Sequence, residues 1–174
     1  VYTMETKPTP GNFAPNLELK LIGGETFSLK SSKPQLIDML VFYRGYHCPL
    51  CKDFLHKLNG LAGAFLESGA NVVAVSMDTE ERAQKSKEEW GLDNLSIAYG
   101  LSEEAARAWG LHITESIKEV EPQTFSEPAL FWVLADKKIY LMDVASMPFA
   151  RPDLELLLAK VPAITAGYPA RGTK

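Results

Sequence analysis

Two cysteines, Cys48 and Cys51, lie two residues apart, just after an apolar run of β-favouring residues that stops at Gly45. The amphipathic stretch from Pro49 onward predicts a helix, so the pair lies at the beginning of that helix. The free N–H groups and partial positive charge of a helix N-terminus favour a thiolate over a thiol. The second sulfur, one helical turn further on, lies within bonding reach of the first. The spacing therefore predicts a pair that closes and opens a disulfide reversibly.

We expect Cys48 to be the nucleophile, exposed at the strand–helix junction, where Arg44 or His47 could favour its thiolate. Its attack on a disulfide would form a mixed disulfide that Cys51 resolves. With a peroxide, Cys48 would become a sulfenic acid, and Cys51 would resolve that product instead. Plainer alternatives stay open. The cysteines could be an inert buried pair, Arg44 a solvated residue at the end of a strand, and His47 an exposed loop residue.

The same stretch contains residue types that bind metals, namely Cys48, Cys51, His47 and His56. A structural zinc site normally takes four ligands, often from two separated pairs. The sequence has no second C-x-x-C and no H-x-x-H, and His112 stands alone far along the chain. We therefore expect no metal and no cofactor, and we keep a redox-sensing or metal-holding interaction module as the alternative outside enzymes.

Length and composition set the wider limits. A chain of 174 residues is typically one domain with a substantial core, and 46% hydrophobic with 23% charged residues is ordinary for a globular protein. The net charge of −4 gives no reason to expect nucleic acid or an anionic membrane as partner. No apolar run approaches the roughly 20 residues that span a bilayer, and no secretory signal is visible. Because both cysteines belong to one motif, we expect a cytoplasmic setting, although a periplasmic oxidoreductase would use the same motif.

The elements that position the cysteines alternate between strands and helices. The patterns predict a hairpin at 17–29, strands at 36–43, 71–76 and 95–98, helices at 49–68, 79–90 and 102–109, a hairpin at 129–144 and a helix after Pro152. Residues 1–16 are expected to be a surface lead-in, 112–126 a helix fragment or loop, and 162–174 a tail. Asp38 is expected to face solvent at the beginning of its strand. This order predicts an α/β sandwich whose sheet is parallel early and antiparallel late.

Three stretches resemble the thioredoxin fold and, within it, the peroxiredoxin-like AhpC/TSA (redoxin) families. They are GNFAPNLELKLIGGETFSL, VVAVSMDTEERAQKSKEEWGLDNLSIAYGLSEEAARAWGL and EPALFWVLADKKIYLMDV, in that order. The resemblance covers roughly residues 12–161. It implies an α/β, thioredoxin-like fold in which helices flank a central mixed β-sheet, with an N-terminal β-hairpin extension. It also implies a single domain over residues 1–174, with a flexible lead-in and tail.

The resemblance breaks down at the residues that carry peroxide chemistry. Typical peroxiredoxins have a Pro seven residues before the reactive Cys and a Thr or Ser three before it, where this chain has Val41 and Gly45. The family's peroxide-orienting Arg usually opens the strand where this chain has Pro128, so Arg44 would have to replace it. The Glu127–Pro128 bond instead resembles the cis-proline turn that faces the cysteine pair in thioredoxins.

These observations predict a thiol–disulfide oxidoreductase whose catalytic residues are Cys48, Cys51, Arg44 and Pro128. The alternative enzyme is a thiol-dependent peroxidase that reduces hydrogen or organic peroxides. Expected partners are a protein or small-molecule disulfide, or a peroxide, and a thiol electron donor such as thioredoxin or glutathione. A homodimer is compatible with the sequence, which leaves the oligomeric state open.

Overall fold

The computed structural model describes residues 7–174. The predicted lead-in therefore lies partly outside the described residues, because it includes residues 1–6. In chain order the elements are β1 (Glu18–Lys20), β2 (Thr26–Ser28), β3 (Ile37–Phe42), α1 (Pro49–Glu67), β4 (Ala70–Val75), α2 (Glu80–Glu89), β5 (Ser96–Ala98), α3 (Glu103–Ala108), β6 (Ile113–Glu115), β7 (Thr124–Ser126), β8 (Ala129–Leu134), β9 (Ile139–Val144), α4 (Leu154–Lys160) and α5 (Pro162–Thr165).

A five-stranded sheet in the order β5-β4-β3-β8-β9 forms the centre of the fold. The strand β3 pairs in parallel with β4 and antiparallel with β8. The strand β5 continues the parallel side and β9 the antiparallel side. The predicted mixed sheet is therefore confirmed. Because β3 is central and all six of its residues are buried, the residues that follow it are held rigidly.

Apolar side chains fill both faces of the sheet, as the nearly continuous apolar strands predict. On one face, α1 packs its buried stripe of Leu55, Leu58 and Phe65 against the sheet. On the other face, Phe42, Trp109 and Phe131 pack at tilted or edge-to-face angles, with ring centroids 5.0 to 5.8 Å apart. Such pairs contribute about 0.5–1.5 kcal/mol each beyond the area they bury. The two layers fix where β3 ends and α1 begins.

The N-terminal hairpin and the terminal β8–β9 hairpin are confirmed. The strands β1 and β2 pair antiparallel, and a bridge from Leu21 to Ala98 attaches this hairpin beside β5. Residues of the lead-in also contact the sheet, since the Gly11 and Ala14 N–H groups donate to the carbonyls of Ile139 and Lys137. None of the helices in residues 7–174 combines the length and the apolar character that crossing a membrane requires.

Three details differ from the sequence-based expectations. Residues 112–126 contain neither a helix fragment nor a plain loop, because β6 and β7 pair there as a small hairpin. The predicted tail begins with α5, and the Tyr140 hydroxyl donates to the Tyr168 carbonyl at 2.8 Å. Asp38 is fully buried rather than solvent-facing, because β3 lies between β4 and β8; its carboxylate accepts the Ser32 hydroxyl at 2.9 Å. Burial raises the pKa of Asp38, and the bond from Ser32 opposes that rise.

Candidate redox site

Cys48 is the N-cap of α1 and lies where the chain leaves β3. Its backbone is extended, with φ −106° and ψ 107°, and its sulfur accepts the Cys51 N–H at 3.3 Å. In most helices the side-chain oxygen of a serine or aspartate accepts this bond. Here the Cys48 sulfur takes that place and accepts an N–H that has no partner within the helix. Pro49 occupies the first helical position, where its missing N–H is not needed. The capping geometry aims the positive end of α1 at Cys48.

The two thiols lie close together and form no disulfide in this structure. The prediction that Cys48 is exposed is wrong, because only 2% of the residue is accessible, while Cys51 is entirely buried. The cap conformation turns the Cys48 side chain back toward α1 rather than outward. Cys48 nevertheless lines a pocket of about 620 Å³ at the start of α1.

The pair is electrostatically asymmetric. The pKa of Cys48 is lowered to about 6, first by the hydrogen bond from the Cys51 thiol, then by the Cys51 N–H and the Arg44 guanidinium, all acting against burial. The pKa of Cys51 is raised well above its ordinary value, first by burial and then by the negative sulfur of Cys48 beside it. At neutral pH the structure therefore favours a Cys48 thiolate beside a Cys51 thiol.

Arg44 provides a fixed positive charge beside Cys48. Its guanidinium lies close enough to Cys48 to lower the pKa of that thiol, and it pairs with Glu127 through Nε and Oε1 at 3.0 Å. It also lies 3.6 Å from a Glu121 carboxylate oxygen and 4.8 Å from the centre of the Phe125 ring. These contacts come from β7 and the segments that flank it, so the irregular region of the sequence positions the arginine. Arg44 is therefore not a freely solvated residue.

His47 contributes no comparable charge. It is half-buried, and its ring centre lies 4.6 Å from that of Phe125. Burial, followed by repulsion from Arg44, lowers the pKa of His47 to about 4. The imidazole is therefore neutral near pH 7, and of the two residues expected to favour the thiolate, Arg44 alone carries a positive charge.

Gly45 and Asp78 explain the missing hydroxyl three residues before Cys48. Gly45 has φ +134°, which side-chain-bearing residues rarely adopt, and a Cβ there would lie 2.6 Å from an Asp78 carboxylate oxygen. That carboxylate accepts the Tyr46 N–H at 2.9 Å and pairs with Arg82 at 3.4 Å. Burial raises the pKa of Asp78. A buried acid thus occupies the space that a Thr or Ser side chain at position 45 would need.

Pro128 is not the cis-proline turn that its sequence context resembles. No cis peptide bond occurs in residues 7–174, so the Glu127–Pro128 bond is trans. The chain runs from β7 through Pro128 into β8, and the Pro128 carbonyl accepts the Ala145 N–H at 2.9 Å, which extends the pairing of β8 with β9. Pro128 does not line the pocket of Cys48. It lines a separate, much smaller cavity together with Phe54 and Arg151.

Arg151 contacts the site although no sequence feature singled it out. Its Nη2 lies 3.1 Å from the Cys51 sulfur, and it comes from the loop between β9 and α4, a hundred residues further along the chain. A lone arginine in a loop matches no motif, so only the three-dimensional structure reveals this contact. The metal-site residues do not assemble. His56 Nδ1 bonds the Trp90 carbonyl at 3.0 Å, and across the described chain no three His, Cys, Asp or Glu side chains could hold an ion.

Comparison with known proteins identifies the fold. The chain is similar to peroxidoxin BcpB from Mycobacterium tuberculosis, at 20% identity and TM-score 0.73 over 90% of this chain and 98% of the other. A peroxiredoxin-like protein from Aquifex aeolicus matches at 16% identity and TM-score 0.74, covering 91% and 89%. An uncharacterized conserved protein from Geobacillus kaustophilus matches at 24% identity and TM-score 0.68, covering 95% and 86%. These matches confirm the thioredoxin-like fold.

No match to this sequence was found among curated proteins. The model of the AhpC/TSA family matches residues 10–142, which include β1–β8, both cysteines and Arg44. The match covers more than half of the chain and includes the junction where the thiols meet. The protein is therefore a member of the AhpC/TSA family and an oxidoreductase.

Proposed function

We propose that the protein is a dithiol–disulfide oxidoreductase in which Cys48 attacks and Cys51 resolves. The observation that carries this proposal is the N-cap geometry, in which the Cys48 sulfur accepts the N–H of Cys51. The Arg44 guanidinium nearby helps to lower the pKa of Cys48. This arrangement supports a nucleophilic thiolate at position 48 and a protonated partner within bonding reach. The electrons come from the pair itself, so no cofactor is needed.

The reaction proceeds in two exchanges. The Cys48 thiolate attacks one sulfur of a substrate disulfide, so that a Cys48–substrate bond forms while the other half leaves as a thiolate and takes up a proton. Cys51 then loses its proton and attacks the Cys48 sulfur, which releases the second half of the substrate as a thiol. The substrate gains two electrons and two protons, and the enzyme is left with a Cys48–Cys51 disulfide. A thiol donor such as thioredoxin or glutathione reduces that disulfide again.

The size of the pocket supports a substrate larger than a peroxide. Its volume of about 620 Å³ falls within the range of roughly 300–1,000 Å³ that is usual for sites that bind small organic molecules. Its walls include Tyr46 and Trp90, whose rings stack with centroids 6.2 Å apart, and the exposed Lys52. An organic disulfide or an extended peptide segment would fill such a space. The cytoplasm, where thioredoxin and glutathione are available, is the compartment we propose.

A thiol-dependent peroxidase is the second candidate, and one contact favours it. The Arg44 guanidinium lies near Cys48, where it could orient a hydrogen or organic peroxide. Attack on the peroxide would give a Cys48 sulfenic acid and release water or an alcohol, and Cys51 would then form the disulfide with loss of water. Against this candidate, Asp78 fills the space of the missing hydroxyl, so a peroxide would meet a buried acid there.

Stopped-flow oxidation of the reduced protein distinguishes the two candidates. The reduced protein is mixed with equal concentrations of an organic disulfide or of hydrogen peroxide, and closure of the disulfide is followed. We expect the disulfide to react faster, with both reactions lost in Cys48→Ser. In Cys51→Ser, the disulfide substrate should remain attached as a mixed disulfide. Rapid oxidation by micromolar peroxide with slow reaction of the disulfide would overturn the proposal in favour of the peroxidase.

A further inference from the structure

Arg151 lies beside Cys51 and lines a small cavity that is separate from the pocket of Cys48. Its Nη2 lies 3.1 Å from the Cys51 sulfur, while its Nε donates to the Pro148 carbonyl. The guanidinium also lies over the Phe54 ring, 5.0 Å from its centre, and Phe54 is one helical turn beyond Cys51 on α1. Three independent contacts thus hold the cation in one place against one sulfur.

The charge of Arg151 is directed at that sulfur and not at a carboxylate. Arg44, Arg82 and Arg107 each pair with an acid, whereas in residues 7–174 no carboxylate oxygen lies within 4 Å of Arg151. The Nη1 atom of Arg151 is buried and has no hydrogen-bond partner, so the guanidinium retains an unused donor beside this sulfur. A thiolate at Cys51 would be the missing anion.

The resolving step creates such an anion. When Cys48 is bound to a substrate it carries no charge, and the fully buried Cys51 must lose its proton before it can attack. The groups that face Cys51 are Cys48 at the helix start, Tyr43 beyond β3 and Arg151 from the β9–α4 loop. Burial raises the pKa of Tyr43, which keeps its hydroxyl neutral. In the mixed disulfide, Arg151 is therefore the charged group of these three.

We propose that Arg151 is a positioning residue for the resolving step, which holds the Cys51 sulfur in line with Cys48 and stabilises the thiolate formed there. This inference rests on the proposed dithiol mechanism. In the step itself, the Cys51 S–H bond breaks and its proton passes to solvent. The Cys51 sulfur bonds to the Cys48 sulfur, and the substrate thiolate departs with the electron pair of the broken disulfide and is protonated. Arg151 itself is chemically unchanged by the step.

The size of the effect follows from general thiol chemistry. A cation within about 4–6 Å lowers the pKa of an acid by about 1–3 units. Each unit changes the thiolate fraction about tenfold, while nucleophilicity changes about threefold in the opposite direction. Replacing Arg151 by methionine should therefore slow resolution about 3-fold to 30-fold near neutral pH. Attack by Cys48 should change less than about twofold, because Arg151 is not among the groups that shift the pKa of Cys48.

An aromatic disulfide that releases a coloured thiolate separates the two steps in one stopped-flow trace. The first release reports attack by Cys48, and the second reports resolution by Cys51. We expect Arg151→Met to slow the second phase alone, and Arg151→Lys to recover part of the loss because the charge is kept. Arg107→Met is the matched control, since Arg107 is exposed and pairs with Glu103 on α3. It should leave both phases unchanged.

The pH profile distinguishes stabilisation of the thiolate from general damage to the fold. In Arg151→Met, the rate of the second phase should reach its maximum at a higher pH than in the unaltered protein. The reason is that ionisation of Cys51 limits this phase and requires a higher pH without the cation. An equal slowing at every pH, or an unchanged second phase, would refute the role of Arg151. Absence of a fast first phase in the unaltered protein would instead refute the dithiol mechanism itself, so the two failures are distinguishable.

Discussion

Cys48 and Cys51 have the same side chain but opposite ionisation, and the difference arises from their positions on one helix. Cys48 caps α1 and meets a backbone N–H, a thiol and a guanidinium, whereas Cys51 lies one turn inside and is wholly buried. Donors around the first sulfur favour the thiolate, and burial of the second favours the thiol. This asymmetry assigns attack to Cys48 and resolution to Cys51.

At the residue scale, the ionisation of Cys48 can be measured directly. In a Cys51→Ser background, the rate of alkylation of Cys48 should rise with pH and follow the thiolate fraction. Removing the positive charge with Arg44→Met should raise the pKa of Cys48, because a nearby cation that helps to lower it is lost.

His47→Gln is the matched control for this measurement, because the imidazole is neutral near pH 7 and its replacement removes no charge. The pH at which alkylation of Cys48 reaches half its maximal rate should therefore be the same as in the Cys51→Ser parent. A larger shift in His47→Gln than in Arg44→Met would contradict the assignment of Arg44 as the cation that stabilises the thiolate.

The residues of the site were foreseeable to the extent that they lie near the motif. Cys48, Cys51 and Arg44 fall within eight consecutive residues, and their types and spacing indicate their chemistry. The burial of Cys48 was not foreseeable, since the capping conformation turns the sulfur inward. Arg151 was beyond reach as well, because its contact depends on how the β9–α4 loop packs behind α1.

At the scale of elements, the turn from β3 into α1 determines what the site can contain. The chain passes through Gly45 at φ +134°, directly against the Asp78 carboxylate that follows β4. Since β3 and β4 pair in parallel, their C-terminal ends meet at one edge of the sheet and bring these two residues together. The turn is therefore built around a glycine and an acid, in place of a hydroxyl-bearing side chain.

Restoring a hydroxyl at position 45 should damage the protein rather than improve it. Gly45→Ser combines an unfavourable backbone conformation with a collision against a buried carboxylate, and we expect it to lower the free energy of unfolding by about 3 kcal/mol or more. Gly23→Ser is the matched control. Gly23 also has a φ far outside the left-handed helical region, +109°, but no atom lies within 4 Å of a Cβ there.

The free energy of unfolding of the control should fall by only about 1–2 kcal/mol, from the unfavourable backbone conformation alone. Urea unfolding of both variants measures the difference. Equal losses in Gly45→Ser and Gly23→Ser would show that Asp78 does not exclude a side chain at position 45. A gain in peroxidase activity in Gly45→Ser would contradict our explanation of the missing hydroxyl.

The long elements could be predicted from the sequence, and the short polar ones could not. Apolar periodicity marked β3, α1, β4, β8 and β9 because each buries several side chains against the same core. The strands β6 and β7 have three residues each, and their pairing depends on contacts between residues 113–115 and 124–126. Local patterns do not contain such contacts, although this hairpin holds Arg44 in place through Phe125.

At the scale of the whole molecule, the Cys48 thiolate links folding to pH. The pKa of Cys48 falls from its ordinary value of 9.0 to about 6 on folding. Between these values the unfolded chain binds more protons, so the stabilisation rises with pH, is complete above about pH 9 and is lost as pH falls through 6. Because the pKa of Cys51 is raised, this thiol changes the pH dependence of stability only above the ordinary pKa range of a thiol.

We therefore expect the stability of the reduced protein, relative to reduced Cys48→Ser, to increase as pH rises from 6 to 9. Urea unfolding of both proteins across this range, under a reducing agent, provides the measurement. The difference between the two proteins removes the contributions of other titrating groups such as Asp38 and His47. A difference that stays constant or falls with pH would mean that the fold does not stabilise the thiolate.

The most direct test of the assigned roles is intact mass spectrometry of Cys51→Ser and Cys48→Ser after brief exposure to an organic disulfide at pH 7. Cys51→Ser retains the nucleophile without its resolving partner, so it should acquire one substrate half as a stable adduct on Cys48. Cys48→Ser retains only the buried, protonated thiol and should remain unmodified over the same time. Faster modification of Cys51 than of Cys48, or no adduct on either cysteine, would contradict the mechanism.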